Sequence, residues 1–169
     1  MEAAALLIVD VQKGLFDKKN QVYNGELLLE NINFLIDKSR ERKMPIVFIR
    51  HINKGFLIEN SDNWQIHPSL KSCGGDLYLD KQHSGMFDEK HIVNELKRLS
   101  VKTVIVAGLV THGCVKAACL GAKAEGYEVI LAEDAHSGFN ENARKLIDEW
   151  NEKLRNEGIR VVPTREVFE

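Results

Sequence analysis

The sequence predicts an α/β fold, a three-layer αβα sandwich around a mostly parallel sheet, and three observations carry that expectation. Short apolar runs of strand type alternate with longer helical patterns along the whole chain, so the order is βαβ, repeated. Leu6-Leu7-Ile8-Val9 and Val104-Ile105-Val106 are apolar without a break, as strands covered by helices on both faces must be. At 169 residues, 44% hydrophobic and 28% charged, the chain suits one well-buried domain, spanning 1–169, better than two.

Taken in order, Ala4 to Val9 reads as a strand that stops where Asp10 breaks the apolar run. Leu27 to Arg42 has helical spacing, and Pro45 to Arg50 is a second strand. Residues 52 to 76 show no sustained period; a loop this long in a compact domain is a candidate cover for a site. Leu77 to Leu79 is a short strand, Glu89 to Leu99 a helix and Thr103 to Ala107 a strand. Val115 to Glu125 (helix), Glu128 to Ala132 (strand), Ala143 to Asn156 (helix) and Ile159 to Val162 (strand) complete the pattern. Right-handed crossovers then put the carboxyl ends of all the parallel strands on one edge, where open α/β sheets bind ligands. Asp10 ends one such strand and Cys114 follows another.

Composition narrows the function. Twenty-three basic and 25 acidic residues give a net charge of -2, which lacks the basic surplus that nucleic acid demands. The first ten residues have no basic leader, and their apolar stretch ends too early for a signal peptide or membrane span, so a cytoplasmic location is expected. Cys73, Cys114 and Cys119 form no Cys-x-x-Cys pair, and free thiols fit a reducing compartment. The six histidines make no His-x-x-x-His pair, so no metal or other cofactor is expected. Gly108 to Gly113 has the spacing of a phosphate loop, but Cys114 and Val115 stand where Lys and Ser/Thr belong. No Gly-x-Gly-x-x-Gly follows the first strand.

Cys114 is the informative residue. At a strand-to-helix junction, unpaired backbone N–H groups and the helix macrodipole favour thiolate over thiol, and the same groups can receive the oxygen of a tetrahedral intermediate. Cys119 lies on an apolar stripe with Val115, Ala118 and Ala122 and reads as core. Asp10 and Lys81, taken singly, read as a turn residue and a solvated charge.

Together these segments resemble the isochorismatase-like cysteine hydrolases, a family that includes the nicotinamidases. "ALLIVDVQKGLF" resembles its first strand and aspartate, "LDKQHSGMF" its lysine segment, and "VIVAGLVTHGCVKAA" its nucleophile turn; "GYEVILAEDAHSG" continues the match. The resemblance implies a Rossmann-like central sheet, a homo-oligomer of two or more copies acting on a small molecule, and a catalytic triad of Asp10, Lys81 and Cys114. It also implies a cis peptide between Val110 and Thr111, with backbone N–H groups of Cys114, Thr111 and Val110 available for an oxyanion hole. The expected reaction is hydrolysis of a small carboxamide through a thioester. Vinyl ether hydrolysis of the isochorismatase type, and a redox-sensing thiol on the same fold, are the alternatives. Phe16, Trp64, His67, Phe87 and His136 are pocket candidates from family-like segments. Nicotinamidases of the family hold a metal through an Asp-x-His segment; this chain reads Ile49-Arg50-His51-Ile52-Asn53, without the Asp.

Overall fold

The computed structural model describes residues 3–17, 19, 21–139 and 141–169. Its strands are β1 (Ala4–Val9), β2 (Ile46–His51), β3 (Leu77–Lys81), β4 (Thr103–Leu109), β5 (Glu128–Ser137) and β6 (Arg160–Val162). Its helices are α1 (Gly25–Glu41), α2 (Lys90–Arg98), α3 (Lys116–Ala124) and α4 (Ala143–Asn156). The strands form one sheet in the order β3-β2-β1-β4-β5-β6, with every pairing parallel.

Alternate side chains explain the three layers. Ala5, Leu7 and Val9 of β1, with Val104 and Val106 of β4, face a core built with Ile92 and Leu96 of α2, Ala118 and Ala122 of α3, and Leu154 of α4. Ala4, Leu6 and Ile8, with Ile105 and Ala107, face α1 through Leu28, Ile32, Leu35 and Ile36. A strand sandwiched in this way has no polar face to show. Each fully buried Leu, Ile or Val stabilises the fold by roughly 1.5–3 kcal/mol of transfer free energy.

The strand order reverses between β1 and β4, and the loops there leave in opposite directions to opening helices on opposite faces. Such a switch point opens a crevice at the carboxyl edge. Gly108 lets the two strands come together: at φ +128°, a Cβ on it would sit 2.1 Å from the Val9 carbonyl oxygen. Both the dihedral and the distance demand glycine.

Four strands run past their expected ends, β2 by one residue to His51 and β4 by two to Leu109. β3 continues to Lys81, and β5 continues through Glu133 and Asp134 to Ser137. The two acids look like a strand end, yet β6 pairs only with residues 130–132, so the outer edge of β5 is open beyond them. Glu133 uses that edge to pair with Arg155, and Asp134 accepts hydrogen bonds from Thr164 N (2.8 Å) and Oγ1 (2.5 Å).

The long loop after β2 is tied down. Lys13 N donates to Gln65 O (2.8 Å), Gly14 N to Asn63 O (3.0 Å) and His67 N to Val11 O (2.9 Å). Gln12, fully buried, donates to the His51 and Trp64 carbonyls at 3.0 Å each and accepts from His51 N at 2.8 Å. One side chain thus clamps the ends of β1 and β2 to the loop. Among the described residues, no helix is long and apolar enough to cross a membrane.

Candidate active site

Three strand ends bring the expected polar residues together. Asp10, one residue past β1, adopts a left-handed backbone (φ +53°) that aspartate tolerates better than most residues, and its N–H donates to Ile49 O (2.9 Å). Lys81 ends β3, directly beside His51 in the parallel register. Cys114 stands in a wide turn, Thr111–Val115, that joins β4 to α3.

The Lys81 ammonium is the hub. Its Nζ lies 3.1 Å from Asp10 Oδ2, 3.3 Å from Cys114 Sγ, 3.2 Å from His51 Nδ1 and 3.1 Å from the His83 carbonyl. The Lys81 and Asp10 side chains are 0% and 5% exposed, so their charges are desolvated and depend on one another. An ammonium has three protons for these four acceptors, and a neutral thiol is the weakest of them. Oδ1 of Asp10 is buried and makes no hydrogen bond of ordinary geometry. The thiol is near enough for its protonation to be coupled to the carboxylate, but Lys81, bonded to both, ties the pair together.

The acidities differ from the sequence expectation of a resting thiolate. Burial pushes the Cys114 thiol up to about 11, the Asp10 charge adds to that, and Lys81 only partly offsets them. Two local facts explain the difference. α3 begins at Lys116, two residues beyond the sulfur, so Cys114 does not occupy the helix's first turn. The nearby carboxylate repels a second negative charge. Asp10 is also raised, chiefly by burial and against the pull of Lys81. His51 is lowered, first by burial and then by Lys81, so its neutral Nδ1 accepts from the ammonium.

The turn folds back on the residue before it: Gly113 N and Val115 N both donate to Val110 O, at 3.0 and 3.2 Å. The cis peptide joins Leu109 to Val110, one residue before the expected Val110–Thr111 bond, because β4 runs on to Leu109 and the chain leaves the sheet there.

The pocket candidates fare differently. Trp64 is buried under its own loop; its Nε1 donates to Asp80 Oδ1 (3.1 Å), and the Arg50 guanidinium lies 3.7 Å from its ring centre. Phe87 packs against Gly121 and the Tyr127 ring. Phe16 and His67 pack against each other with their rings tilted by 56° and centroids 4.4 Å apart. His136 is 2% exposed and bonds Thr111 Oγ1 (2.8 Å) and Asn151 Oδ1 (2.9 Å). None of the five hydrogen-bonds to Asp10, Lys81 or Cys114. A cavity of about 610 Å³ between the start of α1, the end of β5 and α4 also excludes those three residues from its wall.

Sequence reasoning missed His51 and Gln12 as neighbours of the cluster, and it missed the bidentate Arg50–Asp80 ion pair (2.8 and 2.9 Å) behind it. Their signal was positional: each lies at or next to a strand's carboxyl end.

The pattern of the Isochorismatase domain matches residues 4–146. The isochorismatase family protein YddQ of Bacillus subtilis is 27% identical over 136 residues, which are 78% of this chain and 76% of that protein. Nicotinamidase 3 of Arabidopsis thaliana is 25% identical over 154 residues, 82% and 75% of the two chains. A crystal structure of an isochorismatase family protein superposes with a TM-score of 0.90 at 25% identity, covering 96% of this chain and 99% of that one. With its sheet order and a family match that runs from β1 into α4, the chain belongs to the isochorismatase family of hydrolases.

Proposed function

We propose that the protein hydrolyses the C–N bond of a small carboxamide through a thioester on Cys114, with Asp10 as proton carrier and Lys81 as the cation between them. The observation that carries this reading is the placement of Lys81 Nζ within 3.1 Å of the carboxylate and 3.3 Å of the sulfur in a desolvated crevice.

The chemistry follows from the resting proton. With the thiol at about 11, sulfur attacks only as its proton passes to Asp10, whose raised basicity suits that exchange. As the C–S bond forms, the carbonyl π electrons move to oxygen, which the backbone amides of Cys114 and of Val110 or Thr111, beside the cis bond, can receive. Lys81, weakly bonded to a thiol, binds the developing thiolate strongly. Collapse breaks the C–N bond, and Asp10 returns its proton to the leaving amine. Asp10 then takes a proton from water, hydroxide adds to the thioester, and departure of the acid restores the thiol.

A metal finds no fitting donors at this edge. Ile49 stands where the Asp of the Asp-x-His segment would be, the Arg50 beside it is paired with Asp80, and His51 Nδ1 already accepts from Lys81. Among the described residues, no group of three or more His, Cys, Asp or Glu could hold an ion. Three cysteines without disulfides favour a reducing compartment.

The test is mass spectrometry after exposure to a panel of primary carboxamides and vinyl ethers. An acyl adduct on Cys114, lost with all turnover in Cys114→Ala, is expected. Full amide turnover by Cys114→Ala, or turnover of vinyl ethers alone, refutes the reading.

A further inference from the structure

Behind the nucleophile turn lies a chain of buried polar groups that the reaction above does not use. Thr111 is 1% exposed, His136 2% and Asn151 7%, and they come from the turn, β5 and α4. Their hydrogen bonds run from Thr111 Oγ1 to His136 Nδ1 (2.8 Å), from His136 Nε2 to Asn151 Oδ1 (2.9 Å), and from Asn151 Nδ2 to the Glu133 carbonyl (3.0 Å).

The far end dictates every proton in this chain. A carbonyl oxygen only accepts, so the Asn151 amide turns its NH₂ toward Glu133 and its oxygen toward His136. His136 must then carry its proton on Nε2, and burial keeps the ring neutral, with a pKa lowered to about 4. Nδ1 is left as a pure acceptor, so the Thr111 hydroxyl donates to it. The hydroxyl is therefore committed to the ring, and it pins the turn that follows the cis Leu109–Val110 bond to β5 and, through Asn151, to α4. Strand pairing reinforces the anchor, because His136 sits opposite Gly108, three residues before Thr111.

We propose that Asn151 and His136 are positioning residues, which act through the Thr111 hydroxyl to hold the nucleophile turn, and with it the backbone amides of Val110 and Cys114, where the reacting carbonyl's oxygen becomes negative. This rests on the cysteine hydrolase reading and assigns to α4 a part in turnover that its distance in sequence conceals. An amide displaced by a fraction of an ångström donates poorly to an oxyanion, and such misplacement costs on the order of 10- to 100-fold in rate.

The test compares two reactions of one sulfur in a Cys73→Ser background, which removes the exposed thiol. p-Nitrophenyl acetate acylates through an oxyanion; iodoacetamide alkylates by direct displacement and forms none. Rates at Cys114 are read by peptide mass spectrometry. Thr111→Val, which keeps the shape and deletes the donor, is expected to lower the acylation-to-alkylation ratio by about 10-fold or more, with alkylation within about twofold. Asn151→Leu should move the ratio in the same direction, and Thr111→Ser, which restores the donor, should recover it to within about threefold of the parent. A ratio unchanged in Thr111→Val, or equally low in Thr111→Ser, overturns the positioning role. Loss of both reactions together in Thr111→Val and Asn151→Leu shows a merely structural role and overturns it too. A parent enzyme that acquires no acetyl group on Cys114 defeats the hydrolase reading itself and this inference with it.

Discussion

Exchanging Asp10 for Asn and Lys81 for Met, singly and together, separates what the buried ion pair does for stability from what it does for chemistry. At 3.1 Å the pair's attraction is about 5 kcal/mol for an effective dielectric near 20. Desolvating each ion costs several kcal/mol, so the pair as a whole adds little, but either charge left alone is expensive. Each single variant is expected to lose roughly 3–5 kcal/mol, which for a chain of this size lowers the melting temperature by about 10 °C. Asn is the right replacement at Asp10 because it tolerates the left-handed backbone there. The double variant should return to within about 1 kcal/mol of the parent or exceed it, a coupling far from additive. Lys81→Met should also recover on acidification. The Asp10 pKa is raised already and loses its counter-charge, so above 3.8 the folded state binds more protons than the unfolded one, and stability falls as pH rises. Urea unfolding at pH 5 and pH 8 gives all four stabilities, and all three variants should be inactive. Single variants within about 1 kcal/mol of the parent, or a double variant that loses the sum of both, would refute the reasoning.

Two further outcomes follow from other parts of the molecule. His136 titrates near 4 when folded and near 6.5 when unfolded, so between those values the unfolded chain binds the extra proton; stability is complete above pH 6.5 and is lost toward pH 4, by up to about 3 kcal/mol. His51 and His67, also lowered by burial, share that slope; melting curves from pH 7 to 4 should therefore be shallower in His136→Gln, and an unchanged slope would contradict the assignment. Gly108→Ala forces a Cβ into the Val9 backbone at φ +128° and is expected to cost more than about 4 kcal/mol. Soluble Gly108→Ala that melts within about 5 °C of the parent would show that the β1–β4 contact is misdrawn.

The sheet was legible because Leu6 to Val9 and Val104 to Val106 had no polar residue to mislead the eye, and α4 was read to the residue. β5 was cut short because Glu133 and Asp134 behave as turn residues unless one knows that β6 stops beside them. Asp10, Lys81 and Cys114 were singled out through motifs, and the structure brings all three into one cluster. The thiol's acidity was misjudged, since burial and a facing carboxylate arise only when distant segments meet. His51, Gln12 and the Thr111–His136–Asn151 chain stayed hidden for the same reason: each partner lies 15 to 52 residues away.

The three sulfurs differ so much in their surroundings that they can serve as an intrinsic clock. Cys73 is exposed, Cys114 is half-sheltered, and Cys119, inside α3, is 0% exposed with its thiol pushed up to about 12. A coloured disulfide reagent therefore meets them in sequence, and the last increment of colour marks the moment when helix and sheet part company.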